Sequence, residues 1–167
     1  YEKTGDPASA QGAYKKVVRL NPAWELDFNA RLRSAVLSPN KTSAVKDLEK
    51  MAKRYKYKDK LDQIYGAIGD VYLSRGDTLN ALKSYSKAIE EATVAGPEKA
   101  QVLITAGDLY YGRRDYHEAS PCYKEAAGII TTDHKDYRRV TRLSETLGQL
   151  VEQYDWWSSM RSLVRLR

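Results

Sequence analysis

The sequence holds a single cysteine, Cys122, and two histidines, His117 and His134, among 167 residues. One thiol closes no disulfide within the chain, so a cytoplasmic and a periplasmic setting are both compatible with it. The histidines stand a whole helix apart, with no cysteine or acidic residue at the spacing zinc requires, and no metal site is expected. Catalysis needs a nucleophile, a base and an orienting group in one cleft. Nothing in the sequence assembles that set, so neither catalytic residues nor a cofactor are expected and the chain is not read as an enzyme. No apolar run approaches the roughly 18 residues that cross a bilayer, and the first residues, Tyr1 to Pro7, lack the features of a signal peptide. No membrane insertion by these residues is expected; any anchor of the parent protein would lie before Tyr1.

Charge is plentiful and nearly balanced. Lys and Arg number 28 against 22 Asp and Glu, a formal net charge of +6. The excess is local: Lys41, Lys46, Lys50, Lys53, Arg54, Lys56, Lys58 and Lys60 face only Asp47, Glu49 and Asp59. A chain of this length buries enough surface to fold without staples, and one cooperative unit is expected.

Against these scarcities stands an internal repeat. Tyr65, Ile68-Gly69, Tyr72, Gly76-Asp77, Ala81, Tyr85 and Ala88 return as Leu103, Ala106-Gly107, Tyr110, Arg114-Asp115, Ala119, Tyr123 and Ala126, each displaced by 38 residues. Four of those fall in the insertion Ala95-Gly96-Pro97-Glu98, where proline is placed to start a helix, so the unit itself stays at about 34 residues. The spacing predicts two helices per unit, each with its apolar and small residues on one stripe. Gly69 and Ala81 would allow close approach, and Tyr72 and Tyr85 would fill the space beside them. Tyr65, Ala88, Gly107, Tyr110, Ala119, Tyr123 and Ala126 complete the expected repeat core.

This pattern resembles the tetratricopeptide repeat family, whose unit runs aromatic, Leu-Gly, Tyr, Ala, aromatic, Ala, Pro. The resemblance implies an all-α, right-handed superhelical solenoid of antiparallel helix pairs, with about nine helices on the cap signals. It also implies a concave face that holds protein segments. Backwards from residue 62, the register gives a degenerate repeat over 25–58, with Phe28, Leu32, Ala35, Ala44, Leu48 and Met51 in place and a turn at Ser38-Pro39-Asn40. Residues 1–24 read as a partial repeat through Ala10, Tyr14 and Val17, which predicts a parent protein extending beyond Tyr1. The repeats at 62–95 and 100–133 follow. Residues 134–167 read as atypical C-terminal helices, with Tyr137, Val140, Leu143 and Leu147 on one face, a long helix to Tyr154 and a short cap beyond Asp155-Trp156-Trp157. Helix starts are expected at Asp6-Pro7, Asn21-Pro22, Asp77-Thr78, Pro97 and Thr132-Asp133.

The register directs Asn29, Arg33, Val36, Asp70, Leu73, Ile104, Asp108, Tyr111, Arg138 and Arg142 into the hollow as the partner-binding groove. Chaperone-binding members of the family clamp a terminal carboxylate there with Lys, Asn and Arg. Here Gly66, Asp70, Ile104 and Asp108 occupy the corresponding places, so a basic or mixed protein segment is the expected partner. The alternatives are nucleic acid bound along residues 50–60, where Lys53-Arg54-Tyr55-Lys56-Tyr57-Lys58 interleaves cations and rings, and a spacer that binds nothing. Protein is favoured over nucleic acid, because most tyrosines occupy repeat-core offsets and only Tyr55, Tyr57, Tyr111 and Tyr116 are freer. Cys122 reads as a packed thiol and Arg75-Gly76-Asp77 as the turn between helices. Oligomeric state is left open.

Two segments, Asn21 to Arg31 and Arg139 to Leu147, resemble stretches of the repeat-containing lipoproteins of bacterial gliding motility and type IX secretion. That resemblance implies a parent anchored at the outer membrane and facing the periplasm, with its lipid-bearing cysteine upstream of Tyr1.

Overall fold

The protein's structure, a computed structural model, describes residues 5–20 and 23–165, with side chains as far as Ser162. Its described residues form eight α-helices and one 3-10 helix. In order these are α1 (Pro7–Arg19), α2 (Trp24–Val36), α3 (Lys41–Ala52), the 3-10 helix (Tyr55–Lys60), α4 (Leu61–Leu73), α5 (Thr78–Glu91), α6 (Pro97–Gly112), α7 (Tyr116–Ile129) and α8 (Tyr137–Arg165). The chain divides into two compact units, Tyr1–Thr93 and Val94–Arg167. The division falls at the loop in which the four extra residues were placed.

Caps fix the helix starts. Asp6, Asn40 and Asp77 each accept a backbone N–H from three residues on, at 3.1, 3.0 and 3.2 Å, and Pro97 sits at the first position of α6 after Gly96. Asn21-Pro22 lies outside the described residues. Thr132-Asp133 is not a cap: Thr131 Oγ1 donates to the Asp133 carboxylate, a further turn intervenes, and α8 opens with Val140 N donating to Asp136 O at 2.9 Å. Gly76 has φ +75° just before the Asp77 cap, and Arg114 stands at φ +61° in the equivalent place before Asp115.

In the first unit α4 packs along α5, while α2 leans chiefly on α1 and α3 chiefly on α4. The degenerate repeat is therefore a looser pair than its neighbour. Phe28, Ala44, Leu48 and Met51 are buried as expected, with Leu32 and Ala35 half-buried beside them. Tyr57 corrects the expectation of a free ring: it is wholly buried, with its centroid 5.4 Å from Phe28 and 6.3 Å from Trp24. The 3-10 helix turns Tyr57 inward and leaves Tyr55 80% exposed, because neighbouring residues on so tight a helix point to different sides.

In the second unit α7 packs between α6 and α8. Ala119, Tyr123 and Ala126 are fully buried, as are Val140 and Leu147 on α8. α8 runs unbroken for 29 residues, so the separate cap after Tyr154 does not form. No proline interrupts it after Tyr137, and Asp155, Trp156 and Trp157 all sustain a helix. Its distal part leaves Tyr154, Trp156 and Trp157 largely exposed.

Candidate functional site: the hollow between α6 and α8

The repeat core builds the site. In each repeat a glycine of the first helix lies under the tyrosine of the second. A Cβ on Gly69 would stand 2.6 Å from Tyr85 Cδ1, and one on Gly107 would stand 3.1 Å from Tyr123 Cε1. With ring against backbone, the hydroxyl reaches the aspartate that follows the glycine. There Tyr85 Oη donates to Asp70 Oδ1 at 2.7 Å, and Tyr123 Oη donates to Asp108 Oδ1 at 2.6 Å. Burial and the adjacent carboxylate push both hydroxyls well above the ordinary tyrosine range, so they remain donors.

Asp70 and Asp108 are thus surface anchors for core tyrosines. Asp70 is exposed by area yet crowded by protein atoms; that desolvation raises its pKa, against the opposing pull of Tyr85 and of the Arg33 charge. Asp108 is further tied to Arg139, whose guanidinium spans the hollow with Nη1 and Nη2 at 2.6 and 3.2 Å from the two carboxylate oxygens. Asp136 adds a third contact to Arg139, at 3.3 Å. Asp108 raises the Arg139 pKa in return.

Around this bridge lies a cavity of about 720 Å³, bordered by Asp108, Tyr111 and Gly112 of α6, Tyr123 of α7, and Arg138, Arg139, Arg142 and Leu143 of α8. The structure brings Asp108, Tyr111, Arg138 and Arg142 together here, as the register directed. Arg138 and Arg142 are exposed, and among the described residues their side chains have no ionic or hydrogen-bonding partner. Tyr111 is 44% exposed, its ring 5.6 Å from that of Tyr116. With Asp108 engaged by Arg139, the exposed Arg138 and Arg142 leave the described lining of the hollow with net positive charge.

Ile104 does not belong to the groove: it is 2% exposed. It lies on the stripe Ala100, Leu103, Ile104, Gly107, the buried face of α6, and Gly66 is buried in the same way on α4. In the first unit Asn29 and Arg33 on α2 and Asp70 on α4 are exposed, and Val36 and Leu73 are half-buried. Of the repeat core, Gly69, Ala81, Tyr85, Ala88, Gly107, Ala119, Tyr123 and Ala126 are buried, while Tyr65, Tyr72 and Tyr110 are half-buried at its edge. Arg139 escaped the sequence reading as a site residue. An arginine three residues after Asp136 was the available signal, but its bond to Asp108 spans 31 residues of sequence.

Other candidates are otherwise occupied. Burial, with Glu118 and Glu125 nearby, pushes the Cys122 thiol up to about 11, so at neutral pH it is protonated and a poor nucleophile. His117 lies edge-on to Tyr154, and His134 Nδ1 accepts the Asp136 N–H at 3.1 Å. Among the described residues no three His, Cys, Asp or Glu side chains converge as a metal would require. In Arg75-Gly76-Asp77 the aspartate is committed to Asn80 as a helix cap. No described helix is long and apolar enough to cross a membrane.

Paired helices with an aromatic of the second laid on a glycine of the first define an all-α helical-hairpin repeat architecture. A family model described as tetratricopeptide repeat matches residues 61–131, from the first residue of α4 to just beyond α7, a stretch that holds two such helix pairs. No curated protein matches the chain.

Proposed function

We propose that the protein is a non-catalytic scaffold that grips an acidic segment of a protein partner in the hollow between α6 and α8. The observation that carries this is the pair Arg138 and Arg142, exposed and, among the described residues, unpartnered beside Tyr111 and Leu143, while Asp108, the one carboxylate of the described lining, is held by Tyr123 and Arg139. Guanidinium groups offer carboxylates forked, charge-assisted hydrogen bonds, and the ring and the leucine offer apolar contact between them.

The test is affinity capture with the whole chain from nuclease-treated envelope and cytosolic extracts, followed by cross-linking to locate the bound segment. Wild type is expected to retain a discrete protein through an acid-rich segment cross-linked near α8, and Arg138→Glu/Arg142→Glu is expected to lose it. Equal retention by the double variant would count against the hollow. Replacing Asp70 and Asp108 by lysine would be a poor probe, because it strips buried tyrosines of their acceptor.

The compartment and assembly form part of the same proposal. The segments 21–31 and 139–147 support a lipid-anchored parent at the outer membrane, facing the periplasm, in the machinery of type IX secretion and gliding motility. Capture from envelope extract alone is the expected outcome; capture from cytosol alone favours a cytoplasmic adaptor.

A further inference from the structure

The looseness of the degenerate repeat leaves a second opening, within the first unit. Both α1 and α3 meet α2, and between them over its surface runs a channel of about 510 Å³. Lys15 and Arg19 border it from α1, and Lys50 and Arg54 from the end of α3. Against these four cations stands, among the described residues, one lining carboxylate, Asp47, 3.9 Å from Lys50. A fifth cation, Arg31, is already held by Asp27 at 2.9 Å. The side chains of Lys15, Arg19 and Arg54 are exposed and meet no ionic or hydrogen-bonding partner among the described residues.

Basic residues in a last helical turn suit the helix dipole wherever their side chains point. That accounts for one cation at a helix end, not for three unpaired cations from two helices bordering one channel. The lining also includes Val18, Ala35, Ala44 and Met51 and, among the described residues, no aromatic side chain. Single-stranded nucleic acid is held by cations together with rings on which bases stack. Of the two rings of the basic segment, Tyr57 is buried against Phe28, and Tyr55, though exposed, is not among the described residues that line the channel. Cations around apolar and hydroxyl-bearing walls instead complement carboxylates alternating with aliphatic side chains.

We propose that the channel between α1 and α3 docks an acidic, aliphatic-rich protein segment, at a site separate from the α6–α8 hollow. The experiment is fluorescence anisotropy on the whole chain with a labelled alternating Glu-Leu peptide, its Lys-Leu counterpart and an oligothymidylate of matched length. The variants are Arg19→Glu/Arg54→Glu, the milder Arg19→Gln/Arg54→Gln, and Arg138→Glu/Arg142→Glu to silence the other hollow. Circular dichroism verifies that each remains helical. The Glu-Leu peptide is expected to bind both wild type and the Arg138/Arg142 variant, and to weaken by about tenfold or more in the Arg19/Arg54 reversal, less in the glutamine pair. Unchanged binding by the reversal overturns the proposal. So does loss through the Arg138/Arg142 variant alone, absence of Glu-Leu binding, or tighter binding of the oligothymidylate.

Discussion

The contact between a glycine and a tyrosine ring sets the tolerance of each repeat. Alanine in place of a mid-helix glycine gains about 1 kcal/mol of helix propensity. Forcing a methyl into a packed interface costs about 1–3 kcal/mol. At Gly69 the new atom would overlap a ring that is 1% exposed and cannot swing aside, so the cost wins and Gly69→Ala is expected to destabilise the protein. At Gly107 the ring stands 3.1 Å away, a few tenths of an ångström of movement suffices, and Gly107→Ala is expected to be close to neutral. Chemical denaturation of the two variants checks the difference. Asp70 adds a pH signature. Its carboxylate binds protons more readily in the folded state than in the unfolded chain, so its contribution favours folding below the unfolded pKa and fades as pH rises through the folded pKa. The Asp77 cap has the opposite sign: its pKa is lowered, so its contribution is present above the unfolded pKa and is lost as pH falls through the folded value. Denaturation midpoints from about pH 6 to 3 should therefore show Asp70→Asn losing ground against wild type as acid is added. A constant difference between the two proteins would assign no such role to Asp70.

The turn between paired helices poses a harsher backbone demand on the second repeat than on the first. Gly76 meets the left-handed conformation without penalty, whereas Arg114 adopts φ +61° with a side chain attached. That conformation costs an L-residue about 1–2 kcal/mol, partly offset because glycine is freer in the unfolded chain. Arg114→Gly is thus expected to stabilise the protein by up to about 1 kcal/mol, seen as a raised denaturation midpoint. The 38-residue displacement made this turn legible, since Gly76-Asp77 aligns with Arg114-Asp115. What it concealed was Pro121 inside α7, at a place where the helix must do without the amide that would reach the His117 carbonyl. The same repeat logic also misread the 3-10 helix. Tyr55 and Tyr57 have no counterpart in the strong repeats, so nothing in the pattern marked one as outward and the other as core.

Across the molecule, the net charge of +6 reaches the surface unevenly. The sequence located the basic run at 41–60 but not its companions: Lys15 and Arg19 join Lys50 and Arg54 only because α1 and α3 both rest on α2. The acids were misjudged for a related reason. As letters Asp70 and Asp108 are two negative charges in a groove; in the fold each accepts a hydrogen bond from a tyrosine 15 residues later, and Asp108 is also neutralised by Arg139. In the hollow between α6 and α8 the exposed arginines then outweigh the acid.

The helix pairs of the two strong repeats, the caps at Asp6 and Asp77 and the glycine–tyrosine stripes follow from the sequence alone, because periodicity, capping and close approach are local consequences of residue type and spacing. The charge displayed by each hollow was decided by tertiary structure. Ion pairs and buried hydroxyls act through distance in space, and residues such as Asp108 and Arg139 acquire that distance only when α6 and α8 are brought together over α7.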